Sequence, residues 1–251
     1  MSNNLNKTME YNIYLPDNYN KNVNYPVCYL LHGAYGNEDS WVKEGDIKKT
    51  ADELIDKKLI DPLIIVMPDA FIDSWYIDSP IYKMESAFIE EFIPHIENIF
   101  KVDGSKRFIA GLSMGGYGSL RFVLLYPDMF KGAGLLSPAI YDPVPPENSA
   151  GRKTPVFGEN GFDENIWESY NYPQYIEDYL NSNYSIPMYI VSGDDDEYNV
   201  EYYSTLLYEK LKKSKKPSEL RIIDGKHSWD VWKNTIDDAL IYLFQSSKKN
   251  N

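Results

Sequence analysis

The chain has 251 residues, 43% of them apolar, which fits one large α/β domain or two small ones. Its 25 Lys and Arg residues against 38 Asp and Glu residues give a net charge of −13. Such a field repels phosphate backbones and anionic lipid, so the composition argues against nucleic acid and membrane surfaces as partners.

The apolar stretches are far shorter than the roughly 20 residues of a spanning helix, and residues 1–10 are polar, without the apolar core of a signal peptide. We therefore expect a cytoplasmic protein. The single cysteine, Cys28, excludes an internal disulfide and lies in an apolar run, which favours a small buried hydrophobe.

Seven short apolar runs, separated by amphipathic segments, predict a mostly parallel sheet with helices on both faces. The first run alternates apolar and polar residues, which favours a half-exposed strand near the sheet edge. The next five are almost unbroken apolar, as in central strands. The predicted strands are Met9–Leu15, Val27–Leu31, Leu63–Met67, Arg107–Ala110, Ala133–Leu136, Met188–Val191 and Leu220–Ile223.

Helical spacing predicts five helices between these strands. They are Ile47–Lys57, Ser86–Phe100, Ser119–Tyr126, Val200–Lys213 and Ser228–Phe244. The second of them carries Phe88, Phe92, Ile96 and Ile99 on one face. Pro94 lies inside it, where it predicts a kink or a restart because proline has no N–H to donate.

Residues 138–185 interrupt this alternation with six prolines and many aromatic residues. Long excursions in compact domains are usually lids or binding loops. We expect this segment to overhang the active face as a lid or substrate loop of one domain spanning residues 1–251.

The strongest chemical signal is the G-x-S-x-G sequence Gly111-Leu112-Ser113-Met114-Gly115. It follows the predicted strand Arg107–Ala110 directly and precedes a helical pattern. A sharp turn from strand to helix exposes the serine hydroxyl, so Ser113 is a candidate nucleophile. The alternative is a glycine-rich turn with an idle serine.

A nucleophilic serine needs a base, because its hydroxyl is barely ionised at neutral pH. The chain has three histidines. His95 lies inside a predicted helix, and His32 ends an early strand. His227 follows the last predicted strand in a loop, which makes it the predicted base.

The base needs a carboxylate to orient it. The loop after Met188–Val191 contains three aspartates and a glutamate at 194–197, and the chain order Ser, Asp, His is typical of the α/β-hydrolase fold. Spacing alone does not choose among the aspartates, and Asp224 is a further alternative. A calcium site is disfavoured because the loop lacks the glycine and closing glutamate of a helix–loop–helix motif.

Catalysis also needs N–H donors for the developing oxyanion. The residue after the nucleophile, Met114, supplies one backbone amide. The loop His32-Gly33-Ala34, at the end of an early strand, is expected to supply the other.

The chain resembles the esterase-D-like family of α/β hydrolases, which includes acetyl, feruloyl and acetyl-xylan esterases and S-formylglutathione hydrolase. The segments that carry the resemblance are Tyr14-Leu15-Pro16, Tyr25-Pro26-Val27, Leu30-Leu31-His32-Gly33, Gly36 with Trp41, Gly111 to Gly118, Tyr126 to Phe130 and Gly225 to Trp229. The resemblance implies an α/β-hydrolase fold and a Ser-His-Asp triad.

In that family the acid usually stands three residues after a glycine that ends its strand. This matches Gly193 and implies Asp196, beside Ser113 and His227. The resemblance also implies oxyanion donors at Ala34 and Met114, with no metal or organic cofactor.

Four aromatic residues near these motifs are candidates for substrate binding, with core packing as the alternative. They are Trp41, Trp75, Tyr76 and Trp229. The predicted function is a serine carboxylesterase for short-chain acyl (acetyl-type) or feruloyl esters of small molecules or oligosaccharides. The alternatives are acyl transfer to a sugar hydroxyl by the same triad, and a non-catalytic hydrolase-fold binding module.

Overall fold

A computed structural model describes residues 1–249, which form a central sheet of seven strands with helices on both faces. The strands are β1 (Tyr11–Tyr14), β2 (Tyr25–Leu31), β3 (Ile64–Pro68), β4 (Val102–Leu112), β5 (Ala133–Leu136), β6 (Met188–Gly193) and β7 (Ser218–Ile223). Their order across the sheet is β1-β3-β2-β4-β5-β6-β7. β1 runs antiparallel to β3 and the other pairs are parallel, which confirms the predicted architecture.

The predicted strand positions hold, but several boundaries move. β4 begins at Val102 instead of Arg107, because its first residues are partly exposed and polar and carry no apolar signature. β1 is shorter than the run Met9–Leu15 that predicted it, and it lies at the sheet edge as expected.

The core has two halves, one on each face of the sheet, and β2 shows how its side chains divide between them. Val27, Tyr29 and Leu31 pack on the face that carries the larger of the two hydrophobic clusters. Cys28 and Leu30 point to the opposite face. All seven residues of β2 are buried, which explains its continuous apolar sequence. Burial raises the pKa of the Cys28 thiol to about 12, so this cysteine is a packing residue.

Helices cover both faces of the sheet. They are α1 (Ser40–Lys43), α2 (Ile47–Asp56), α3 (Met84–Ser86), α4 (Ile93–Ile99), α5 (Met114–Leu125), α6 (Glu164–Tyr170), α7 (Ile176–Asn181), α8 (Val200–Lys213), α9 (Trp229–Lys233) and α10 (Ile236–Lys249). A π-helical segment, Ala87–Phe92, joins α3 to α4. Among residues 1–249, no helix combines the length and the apolar character required to cross a membrane.

The helix that was predicted over Ser86–Phe100 is thus continuous but irregular. The wide π turn ends at Phe92, and Pro94, which has no N–H to donate, lies in the first turn of α4, so the expected restart is present. Of the four residues on the predicted face, Phe88, Phe92 and Ile96 are buried in the core and Ile99 is not. Ile99 is 52% exposed, because it is the last residue of α4, where the chain turns away toward β4.

Two other helix predictions need correction. α5 begins at Met114, five residues before the predicted start at Ser119, since glycines in its first turns have low helix propensity and hide the pattern. The single helix predicted over Ser228–Phe244 is two helices, α9 and α10. The break lies at Asn234 and Thr235, polar residues that favour helix ends over helix interiors.

Residues 138–185 leave the sheet after β5 and return before β6, forming α6, α7 and short 3₁₀ turns. Trp167 is the centre of this segment. Its ring lies 4.8 Å from that of Phe157 and 5.6 Å from that of Trp75, and its N–H donates to the Pro143 carbonyl at 2.9 Å. The segment therefore shares a core with the sheet.

The same segment is also hydrogen-bonded to α5. The Tyr170 carbonyl accepts from the Tyr117 hydroxyl at 2.6 Å, from Arg121 Nη1 at 3.0 Å and from the Tyr175 hydroxyl at 3.0 Å. Arg121 is buried and forms an ion pair with buried Glu85 at 2.6 Å. These hydrogen bonds thus attach the 138–185 segment, through Tyr170, to α5, the helix that begins directly after Ser113.

Candidate active site

Loops at the carboxyl ends of parallel strands bring the predicted site residues to one edge of the sheet. Ala34 follows β2, Ser113 follows β4, Asp196 follows β6 and His227 follows β7. Ligands of open α/β sheets bind outside this edge of the strands. The topology alone therefore gathers residues that lie far apart in sequence.

Ser113 occupies a tight turn between β4 and α5, with φ of 51° and ψ of −116°. This left-handed φ is strained for a residue with a side chain. Two hydrogen bonds hold the turn: the Ser113 N–H donates to the Leu136 carbonyl at 2.9 Å, and the Ser113 carbonyl accepts from the Ala139 N–H at 3.1 Å. The surrounding backbone thus fixes the direction of the serine hydroxyl.

The turn can form only because glycine stands at position 115. A Cβ there would lie 2.6 Å from the Leu31 carbonyl oxygen and 2.7 Å from that of His32, both backbone atoms that cannot rotate away. A side chain at position 111 is excluded for the same reason, since a Cβ there would lie 2.5 Å from the Gly115 carbonyl. The motif glycines let α5 start in direct contact with β2 and β4.

Ser113, His227 and Asp196 form one line of hydrogen bonds. The Ser113 Oγ lies 2.9 Å from His227 Nε2, and His227 Nδ1 lies 2.7 Å from Asp196 Oδ2. With the Nδ1 proton donated to the carboxylate, Nε2 is free to accept from the serine hydroxyl. The Asp196 side chain is fully buried, and that of His227 is 9% exposed.

The other acidic residues of this loop have different positions. Asp194 accepts from the Gly225 N–H at 3.1 Å, and Glu197 accepts from the His227 backbone N–H at 3.3 Å. Asp195 and Asp224 are exposed and, with Asp194, place carboxylate oxygens within 4.8 Å of one another. Only Asp196 among the described acids of the loop is buried against the imidazole.

Ser113 and His227 line a cavity of about 250 Å³. Ala34 lines it too, and within residues 1–249 its backbone N–H donates to no protein atom. The Met114 N–H, at the first position of α5, is likewise unpaired among the described residues. Unpaired N–H groups at a helix start and in a strand-end loop are candidate donors to an oxygen of a bound molecule.

The family model described as "Putative esterase" matches residues 2–243. The chain belongs to this esterase family. Over 143 residues it is 38% identical to an endo-1,4-beta-xylanase/feruloyl esterase of Xylanibacter ruminicola, a match that covers 53% of this chain and 20% of that protein. Over 252 residues it is 27% identical to an acetyl esterase of Caldicellulosiruptor saccharolyticus, a match that covers 89% of this chain and 85% of that protein.

A solved ferulic acid esterase superposes on this family member with a TM-score of 0.84 at 28% identity, covering 98% of this chain and 95% of that one. In the sequence comparison, the region aligned with this chain covers only 20% to 27% of the length of each of the first three curated relatives. These similarities agree with the expected α/β-hydrolase fold.

The four aromatic residues predicted for this family member's substrate pocket fall into two pairs. Trp75 and Trp229 line the cavity. Trp41 and Tyr76 are fully buried outside its lining. The Trp41 N–H donates to the Leu31 carbonyl at 3.0 Å, and the Tyr76 hydroxyl donates to that of His32 at 3.0 Å, so both support the wall from behind.

Sequence reasoning missed two aromatic residues that contact the imidazole of this esterase-family site. Tyr198 and Trp232 meet the His227 ring edge to face, at centroid distances of 4.9 and 5.0 Å. The Tyr198 N–H also donates to Asp196 Oδ1 at 3.0 Å, and the Trp232 N–H donates to the Ser137 hydroxyl at 3.0 Å. Their sequence positions, two residues after Asp196 and five after His227, were the available signal.

His32 has a structural place in this family member. Its Nδ1 donates to the Gly33 carbonyl at 2.8 Å, and its Nε2 accepts from the Ala70 N–H at 3.0 Å, an arrangement that requires the neutral ring. Burial lowers the pKa of His32, against smaller opposing effects of the Gly33 carbonyl and of Asp69 at 3.8 Å. The imidazole thus ties the loop that carries Ala34 to the end of β3.

Acid should therefore destabilise the protein through His32. The unfolded chain takes up a proton below about pH 6.5, whereas the folded chain resists it, so the free energy of unfolding falls as pH drops below that value. Urea denaturation between pH 5 and 8 measures this slope. We expect His32→Gln to flatten it, while His95→Gln, at an exposed helix position, keeps the wild-type slope; equal slopes in the two variants would refute the assignment.

Proposed function

We propose that the chain is a serine carboxylesterase in which Ser113 is the nucleophile, His227 the general base and Asp196 the acid that orients it. The observation that supports this most directly is the hydrogen-bonded line from Asp196 through His227 to Ser113, at 2.7 and 2.9 Å, at the wall of an open cavity. Triads are recognised by such geometry and roles.

In acylation, the Ser113 hydroxyl gives its proton to His227 Nε2 while Oγ forms a bond to the ester carbonyl carbon. The carbonyl oxygen becomes an oxyanion that accepts from the Ala34 and Met114 amides. The tetrahedral adduct collapses when the carbon–alkoxy bond breaks. The proton on Nε2 passes to the departing alcohol, and Asp196 stabilises the imidazolium that exists between these transfers.

In deacylation, His227 takes a proton from water, and the hydroxide oxygen forms a bond to the acyl carbon. The second adduct expels Ser113 Oγ, which recovers the proton from Nε2, and a carboxylic acid leaves. The reaction therefore uses only groups of this chain and one water molecule.

The cavity lining favours an aromatic acyl group over acetyl alone. Six described aromatic side chains line it: Tyr35, Trp75, Tyr141, Tyr198, Trp229 and Trp232. Flat apolar walls bind rings by area burial and by edge-to-face contact. With the named similarity to feruloyl and ferulic acid esterases, this supports hydroxycinnamoyl esters such as feruloyl esters as preferred substrates.

The test is hydrolysis of methyl ferulate and 4-nitrophenyl acetate, combined with mass spectrometry of protein treated with a fluorophosphonate. We expect turnover of both esters, a higher kcat/KM for methyl ferulate and a single phosphonylated residue, Ser113. Absence of turnover and of labelling would indicate a binding module. Preferential transfer of the acyl group to an added sugar over water would indicate an acyltransferase.

The choice of acid can be tested separately. Asp196→Asn should lower kcat by ~10³–10⁴, because the amide cannot hold the imidazole in the required tautomer or stabilise its charged form. Asp195→Asn is the matched control: that side chain is exposed, and we expect activity within twofold of wild type. Steady-state kinetics on methyl ferulate would decide, and equal losses in the two variants would contradict the assignment.

A further inference from the structure

The cavity that contains Ser113 is almost devoid of formal charge. Apart from tyrosine hydroxyls, only Glu44 and His227 among its described lining residues have ionisable side chains, and none is Lys or Arg. Lys153 lines an adjoining, smaller cavity of about 50 Å³. A substrate that carries a carboxylate would thus meet an acidic group and no cation within the main cavity.

Glu44 lines this cavity and forms no ion pair within residues 1–249. It is exposed, follows the last residue of α1, and has no cationic group within 4 Å among residues 1–249. Its neighbour Lys43 instead pairs with Asp39 at 2.6 Å. The next residue, Gly45, packs against the Trp229 ring so closely that a Cβ there would lie 3.1 Å from it. This packing sets Glu44 beside the Trp229 wall.

The net charge of the whole chain also disfavours the binding of anionic substrates. A net charge of −13 repels anions from the surface in general, and this long-range part weakens with salt. Glu44 adds a local repulsion of an anionic substrate. In water, two like charges about 4 Å apart weaken binding about fivefold. The local and general effects can be separated by variants that change net charge equally.

We propose that Glu44 is a specificity-determining residue that makes the site prefer uncharged esters over esters with a carboxylate next to the scissile bond. This rests on the proposed esterase function and narrows its substrate class. It places small anionic esters and anionic thioesters outside the preferred set, and neutral alcohols, including sugar hydroxyls, inside it.

The test uses two ferulate esters of nearly equal shape, carbamoylmethyl ferulate, which is neutral, and carboxymethyl ferulate, which is an anion. The measured quantity is the ratio of their kcat/KM values at low ionic strength, divided by the ratio of their alkaline hydrolysis rates. We expect at least a fivefold preference for the neutral ester in wild type. Glu44→Gln should reduce it severalfold, and Glu44→Lys should remove or reverse it.

Glu90→Gln is the matched control, since it changes the net charge by the same amount at an exposed position outside the cavity lining. We expect it to leave the ratio at the wild-type value. Equal effects of Glu44→Gln and Glu90→Gln, or equal wild-type rates for the two esters, would overturn the proposal.

Calorimetric binding of the two esters to Ser113→Ala reads the same preference without turnover. If wild type hydrolyses neither ester, the proposed function fails. The role of Glu44 is still judged from these dissociation constants: a preference that Glu44→Gln removes supports it, and equal dissociation constants overturn it.

Discussion

Ser113→Ala is expected to lower kcat for methyl ferulate and for 4-nitrophenyl acetate by ~10⁴–10⁶. Removing the hydroxyl leaves His227 with nothing to deprotonate except water, and loss of a triad nucleophile costs rates of this order in serine hydrolases. The cavity and the Ala34 and Met114 amides remain, so substrate should still bind. Steady-state kinetics and calorimetric binding of methyl ferulate measure the two effects.

Ser119→Ala is the control for this experiment. Ser119 lies on the same helix, is buried, and donates only to the Gly115 carbonyl at 2.8 Å. Its loss should leave kcat within a few-fold of wild type. Activity of Ser113→Ala within tenfold of wild type, with both variants folded, would refute Ser113 as the nucleophile.

Arg121→Met is expected to lower the free energy of unfolding by about 3–5 kcal/mol. The substitution leaves the carboxylate of Glu85 buried without its cation, and an unpaired buried charge costs more than the ion pair contributes. It also removes one of the three hydrogen bonds to the Tyr170 carbonyl. Urea denaturation measures the stability, and hydrogen exchange across 164–181 should show faster opening of α6 and α7.

The matched control removes both charges together. Glu85→Gln combined with Arg121→Met leaves no buried charge, and the amide oxygen introduced at position 85 can still accept from the Tyr126 hydroxyl, which donates to Glu85 at 2.7 Å in the wild type. We expect the double variant to recover most of the lost stability. A double variant as unstable as Arg121→Met alone would show that packing, not the unpaired charge, causes the loss.

The sheet was predictable because its central strands are buried on both faces, and such strands have continuous apolar sequences. β2 and β6 illustrate this, since every residue in each is buried. The start of β4 was not predictable, because its first half is polar and partly exposed and pairs with β2 only through the backbone at Val102, before a bulge. Backbone pairing of this kind does not depend on side-chain type.

Sequence by itself determined the motif around Ser113, the parallel architecture and the order of Ser113, an aspartate and His227, since these depend on local backbone geometry and on burial. Residue spacing left the acid open and the family resemblance implied Asp196; the tertiary structure shows that Asp196 is the acid that reaches His227. Its neighbours share the same loop and charge, but Asp196 alone is turned inward. It also separated Trp75 and Trp229, at the cavity, from Trp41 and Tyr76, behind it. Aromatic residues pack in cores and cavities by the same area burial, so residue type cannot distinguish the two places; only the path of the chain can.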